Sequence, residues 1–246
     1  MKIGICDWGI GGLGFYRLLR EERPDIDVTY LGDQGMVSYG RLPRPELTAR
    51  VKEVLAGFRE RGVSRVVVAC NAASTVLPYV QVADVDASGV ILPALKKLRA
   101  GSGPVGVIGG VRTIRSGAYR RALVEMGYPV RQRVAQPLSR LIEDGLANDP
   151  ATLELLKQIL APIRNSERLV LACTHYVVLA PVIQAFMPHA TLIDPAAEVW
   201  ASMKESLPPK QDRIGSTEFF STGECQAMET QALAAFGVTA RVQRWS

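Results

Sequence analysis

Leu169–Tyr176, LVLACTHY, together with Val66–Ser74, VVVACNAAS, decides how this chain is read. Each is an apolar run that stops at a cysteine followed by small or polar residues. Such a run reads as a strand of a parallel sheet buried on both faces. Ligands of open α/β sheets sit at the carboxyl ends of the strands, where Cys70 and Cys173 fall. Taken singly, a free cysteine is more often a small core hydrophobe than a catalyst. Both cysteines hold the same place in the same pattern, however, with Asn71, Thr174 and His175 as polar neighbours. That pairing raises two thiols facing one pocket to an equal footing with two core cysteines.

Outward from these stretches the chain alternates strand and helix patterns. Lys2–Cys6, KIGIC, is a strand running into Asp7 and the glycines Gly9, Gly11, Gly12 and Gly14, after which Leu13, Tyr16 and Leu19 fall at helical spacing. The glycine spacing does not match a dinucleotide fingerprint, and backbone amides at this turn could serve a carboxylate equally well. Val28–Leu31 is the next strand. Leu47, Val51, Val54, Leu55 and Phe58 then mark an amphipathic helix leading into the Cys70 strand. Val90–Leu92 reads as a short strand, and Leu95 and Leu98 as part of a connecting helix. Later, Asp149 and Pro150 form a helix start, Pro181 and Pro188 bracket a short helix, and Ala190–Ile193 is a strand.

The opening pattern then repeats. Gly4 maps to Gly106, Tyr16 to Tyr119 and Cys70 to Cys173, a displacement held at 102 or 103 residues. Two similar α/β halves follow, residues 1–92 with 208–246 on the Cys70 side and 93–207 on the Cys173 side. Ser206–Ser216 is the linker candidate, and the strand EFFST and the final helix are expected to return to the first half. In that helix Cys225 reads as packing, Cys6 reads as core and His189 as surface.

Nearly half of the 246 residues are hydrophobic, enough for a sizeable core. Four cysteines without regular spacing, no signal peptide and no membrane-length apolar run predict a cytoplasmic protein with reduced thiols. The net charge of +5 is spread over amphipathic segments rather than gathered beside aromatics, which argues against a nucleic-acid surface.

CDWGIGGLG, GDQGMVSYG, VVVACNAAS, GVIGGVRTIRSGAY, LIEDG, LACTHYVVL and FFSTGE, in this order over almost the whole length, resemble the glutamate racemase branch of the cofactor-independent aspartate/glutamate racemases. The resemblance implies two pseudo-symmetric domains, each a mainly parallel sheet flanked by helices, with the active site in the cleft between them. It also implies homodimers, a small amino-acid or dicarboxylate substrate, and neither pyridoxal phosphate nor metal. In such a mechanism one cysteine removes the α-proton and the other returns a proton to the opposite face. By the match of motifs Asp7 stands near Cys70, while His175 and Glu143 assist Cys173. Tyr39, Gly40, Asn71, Thr113 and Thr174 would contact the substrate.

Two positions depart from the family pattern, which has a serine where this chain has Trp8 and a threonine where it has Ala72. Both lost hydroxyls are expected to bind substrate, so Trp8 and Ala72 bear on which substrate is used. Isomerisation of an unsaturated diacid, another reaction of the wider superfamily that uses two cysteines, is an alternative reading, and the two changes motivate a third, a homologue that only binds a small molecule.

Overall fold

The computed structural model describes residues 1–99 and 101–245. Its elements run β1 (Lys2–Asp7), α1 (Leu13–Glu22), β2 (Asp27–Gly32), α2 (Arg44–Glu60), β3 (Arg65–Val68), α3 (Asn71–Ser74), β4 (Asp86–Gly89) and α4 (Ile91–Leu98). Then follow β5 (Val105–Gly109), α5 (Val111–Ser116), α6 (Ala118–Glu125), β6 (Val130–Val134), α7 (Gln136–Glu143), α8 (Pro150–Leu160), β7 (Arg168–Ala172), α9 (Ala180–Phe186) and β8 (Thr191–Ile193). The chain closes with α10 (Pro195–Lys204), β9 (Thr217–Ser221), α11 (Cys225–Phe236) and β10 (Val242–Arg244).

Two all-parallel sheets result, one ordered β10-β9-β2-β1-β3-β4 and the other β6-β5-β7-β8. The inner order β2-β1-β3-β4 recurs as β6-β5-β7-β8, and the register recurs with it. Gly4 pairs with Val66 and Gly106 with Leu169; Gly4 also pairs with Thr29 and Gly106 with Arg131. The displacement of 102 or 103 residues seen in the sequence is therefore a repeat of strand pairing.

Helices cover both faces of each sheet, as parallel strands require. Ile3 and Ile5 of β1 join α1, α10 and α11 in one core, while Cys6 points to the opposite core with α2. All five of the apolar residues read as the face of α2 are buried. In the second sheet α7, α8 and α9 cover one face and α4 and α6 the other. Helix α10 bridges the halves: its Trp200 meets Phe15 of α1 edge-on at 6.0 Å, and it also packs on α4 and β7.

Most expected elements are present. Asp149 accepts the Ala151 N–H at 2.9 Å as the cap of α8. The C-terminal unit returns to the first sheet, β9 pairing with β2. Ser206–Ser216 holds no helix or strand. Cys6 is buried, Cys225 half-buried against the first core and His189 exposed. The strand expected at Val90–Leu92 is displaced: β4 is Asp86–Gly89, and Ile91 already opens α4, burying Ile91, Ala94, Leu95 and Leu98. The DASG strand is at the sheet edge and carries little apolar signal, whereas the apolar residues beside it belong to the start of the helix.

Among the described residues no helix is long and apolar enough to cross a membrane.

Candidate active site

The carboxyl ends of β1, β3, β5 and β7 face one another around a cavity of about 630 Å³. Every residue singled out from the sequence lines it: Asp7, Trp8, Tyr39, Gly40, Cys70, Asn71, Ala72, Thr113, Glu143, Cys173, Thr174 and His175.

Asp7 ends β1 and is 2% exposed. Its Oδ1 accepts the Trp8 N–H at 2.6 Å, and its Oδ2 is buried without a hydrogen-bond partner among the described residues. Burial raises its pKa, outweighing the downward pull of His175, Thr174, the Trp8 N–H and Cys70. Cys70, at the N-cap of α3, lies close enough to feel that carboxylate. Burial first, then the Asp7 charge, push its thiol well above the ordinary value, against the N–H groups of Ala73 and Ala72. Cys70 is thus held as a protonated thiol beside a carboxyl group of raised proton affinity.

Cys173, directly after β7, is half-buried. Its Sγ lies 3.4 Å from Ser139 Oγ and 3.7 Å from His175 Nδ1. On the far side of that ring, His175 Nε2 approaches Glu143 Oε1 at 2.9 Å, with both side chains nearly out of solvent. The approach is that of an ion pair without the in-line geometry of a full hydrogen bond. Burial lowers the His175 pKa, but Cys173 and Glu143 outweigh it and push the value up to about 10. A protonated His175 is therefore the favoured state at neutral pH. The glycine turn after β1 makes room for this pair: a Cβ on Gly11 would overlap Thr174 Oγ1 and come within 3.0 Å of His175 Cε1. Close approach of backbone to the His175 segment accounts for that glycine.

The remaining walls are fixed from both halves. Tyr119 of α6 donates to Asn71 Oδ1 at 2.8 Å across the cleft. Tyr39 donates to Asp33 Oδ2 at 2.6 Å, and Asp33 is held by Arg50 through Nε and Nη2 at 2.8 and 2.6 Å and by the Thr222 hydroxyl at 2.7 Å. Trp8 is half-buried, and its indole Nε1 donates to the Met36 carbonyl at 3.1 Å, so the ring lines the cavity anchored to the 36–41 loop. Ala72 presents only a methyl group.

Several lining residues escaped the sequence reading. Gln136, Ser139 and Arg140 stand on α7 at seven, four and three positions before Glu143, one helical face. Counting back from Glu143 at helical spacing is the signal that points to them. Ser38, Arg41 and Arg112 lie in a loop or a one-and-a-half-turn helix, where no periodicity exists to point at them.

A family model described as Asp/Glu/Hydantoin racemase matches residues 26–202. The glutamate racemase of Aquifex aeolicus (strain VF5) is 32% identical over 240 residues, 93% of this chain and 91% of that one. Among solved structures, glutamate racemase from Thermus thermophilus in complex with beta-chloro-D-alanine superposes with a TM-score of 0.86 at 31% identity, covering 99% of this chain and 96% of the other. The RacE1 isoform of glutamate racemase from Bacillus anthracis gives 0.88 at 26% identity, with 98% and 96% covered. With a family match over most of its length and a relative of this identity along nearly all of it, the chain belongs to the Asp/Glu/hydantoin racemase family.

Proposed function

We propose that the chain interconverts the L- and D-enantiomers of an acidic α-amino acid, glutamate foremost, by proton transfer between Cys70 and Cys173. The observation that carries this reading is the matched placement of the two thiols. Each follows the equivalent strand of its own sheet, opens onto the same cavity and has a carboxylate system behind it: Asp7 for Cys70, and Glu143 through His175 for Cys173.

The α-proton of an amino acid is a weak acid, so its removal needs a close, desolvated base and donors for the charge that develops on the carboxylate. A protonated His175 beside the sulfur is a counter-charge for a thiolate at Cys173. That thiolate takes the α-proton from one face, and the Cys70 thiol delivers its own proton to the other. The product leaves with the opposite configuration, and the two sulfurs have exchanged protonation states. The reverse reaction starts from that exchanged state, with Asp7 positioned to relay the Cys70 proton. Neither step calls on a cofactor or metal. Asn71, Thr113 and Thr174 supply the donors, and Arg41 and Arg112 bring cationic side chains to the cavity wall, suited to a second carboxylate. Residues 1–92 with 208–246 and residues 93–207 act as the two halves that carry one thiol each, in a cytoplasmic homodimer as the resemblance implies.

The test is α-proton exchange in heavy water, followed by NMR over a panel of D- and L-amino acids, with Cys70→Ala and Cys173→Ala beside the wild type. Racemisation of an acidic amino acid that falls by about 10²–10⁴-fold in each variant is the expected outcome. Absence of exchange with every member of the panel refutes the proposal.

A further inference from the structure

A second cleft of about 600 Å³ opens beside the cavity and shares Gly40, Arg41 and Arg112 with it. Five arginines line it, namely Arg41, Arg44, Arg112, Arg115 and Arg121, and no aspartate or glutamate does. Among the described residues none of the five makes an ion pair.

Three of the five have a contact that fixes the guanidinium, while Arg41, Arg44, Arg115 and Arg121 are exposed and Arg112 is half-buried. Arg112 Nη1 donates to the Leu42 carbonyl at 2.8 Å, while its Nε is buried without a partner among the described residues. Arg121 Nη1 donates to the Ser116 carbonyl at 2.8 Å and lies over Gly117, whose φ of +68° and missing side chain leave room for it. Arg44 stacks 5.1 Å from the Tyr79 ring centroid.

This arrangement runs against two local preferences. Like charges gathered in one concavity repel, and burial together with Arg44 holds the Arg112 pKa below its ordinary value. Arg44 also begins α2, a helix of 17 residues without a side-chain cap, where the helix dipole disfavours a cation. An anion in the cleft relieves both. A single carboxylate accepts one guanidinium fork, whereas a phosphoryl group offers oxygens and charge for several. The volume is that of a small-molecule site.

We propose that this cleft binds the phosphoryl group of a small phosphorylated molecule at the mouth of the catalytic cavity. The site is a binding site in its own right and does not depend on the racemase reading.

The experiment is calorimetric titration of the full chain, without amino acid, using inorganic phosphate, inorganic pyrophosphate, a nucleoside diphosphate and sulfate. One-site saturable binding, tighter for the diphosphoryl probes than for phosphate or sulfate, is expected. Affinity should fall about tenfold or more in Arg115→Ala and in Arg121→Ala, and less in the corresponding lysine variants. Pyrophosphate alone points to a free inorganic ligand, and tighter binding of the nucleoside diphosphate to an organic one; both support the site. No saturable binding up to about 10 mM pyrophosphate overturns the proposal. So does an isotherm unchanged in the two alanine variants, or an association equal for sulfate and pyrophosphate that disappears at about 0.15 M salt, which marks a steering field only. Phosphorus-31 line broadening on the wild type detects the same binding, or its absence, without any variant having to fold.

Discussion

Replacing Glu143 with glutamine removes the charge facing His175 Nε2 at 2.9 Å and leaves the side chain's size nearly unchanged. In the native protein burial alone lowers the His175 pKa, yet Cys173 and Glu143 push it from 6.5 to about 10. A rise of that size is linked to about 4 kcal/mol of folding stability at pH 7. The folded-state value is raised, so this stability is fully present below the unfolded value near 6.5 and is lost as pH rises through about 10. Loss of the charged partner from a buried contact at this distance costs on the order of 2 kcal/mol.

Urea unfolding of Glu143→Gln and wild type at pH 7 should then differ by roughly 0.7–1 M in midpoint, for a slope of about 2–3 kcal/mol/M. The gap should narrow at a pH above 10, where the imidazole is neutral in both. An independent reading comes from NMR, because the chain has only two histidines and His189 is exposed. The His175 ring signal should titrate near 10 in the wild type and clearly lower in the variant. The reasoning fails if the two midpoints coincide at pH 7, or if the His175 titration is the same in both proteins. Either outcome would mean that Glu143 does not hold the proton on His175.

Gly11→Ala brings a methyl group within 2.7 Å of Thr174 Cβ and 3.0 Å of His175 Cε1. It should cost about 1–3 kcal/mol in urea unfolding and lower kcat through displacement of His175, whereas an unchanged kcat would separate the turn from the catalytic pair. Trp8→Ser removes the indole anchored to the Met36 carbonyl and supplies the hydroxyl of the family pattern. The KM for glutamate should fall by about tenfold or more, at about 1–2 kcal/mol of stability, and a KM that does not move refutes a substrate-selecting role for Trp8.

The strands that carry the site were legible because they are buried on both faces. VVVA and LVLA can be little else in a chain of this composition, and the cysteines at their ends follow by position. The edges were not. β4 (DASG), β6 (VRQRV) and β10 (VQR) are solvated on one side or both, so the requirement that makes a strand apolar is absent there. The same difference divides the site. Asp7, Cys70, Cys173 and His175 stand at or beside strand ends, where local pattern fixes them, whereas Arg41 stands in a loop and Arg112 on the short α5, joined across the halves by the Arg112 hydrogen bond to the Leu42 carbonyl. Trp8 shows the limit most clearly. Its identity, and its departure from the family serine, are plain in the sequence. Whether the ring turns into the cavity depends on a hydrogen bond to the Met36 carbonyl, 28 residues away on a loop without periodicity. The departure at Trp8 is therefore visible as a letter and interpretable only as a contact. Function resides in such contacts around a site rather than in the fold that carries it, and the sequence pattern of the strands cannot reveal them.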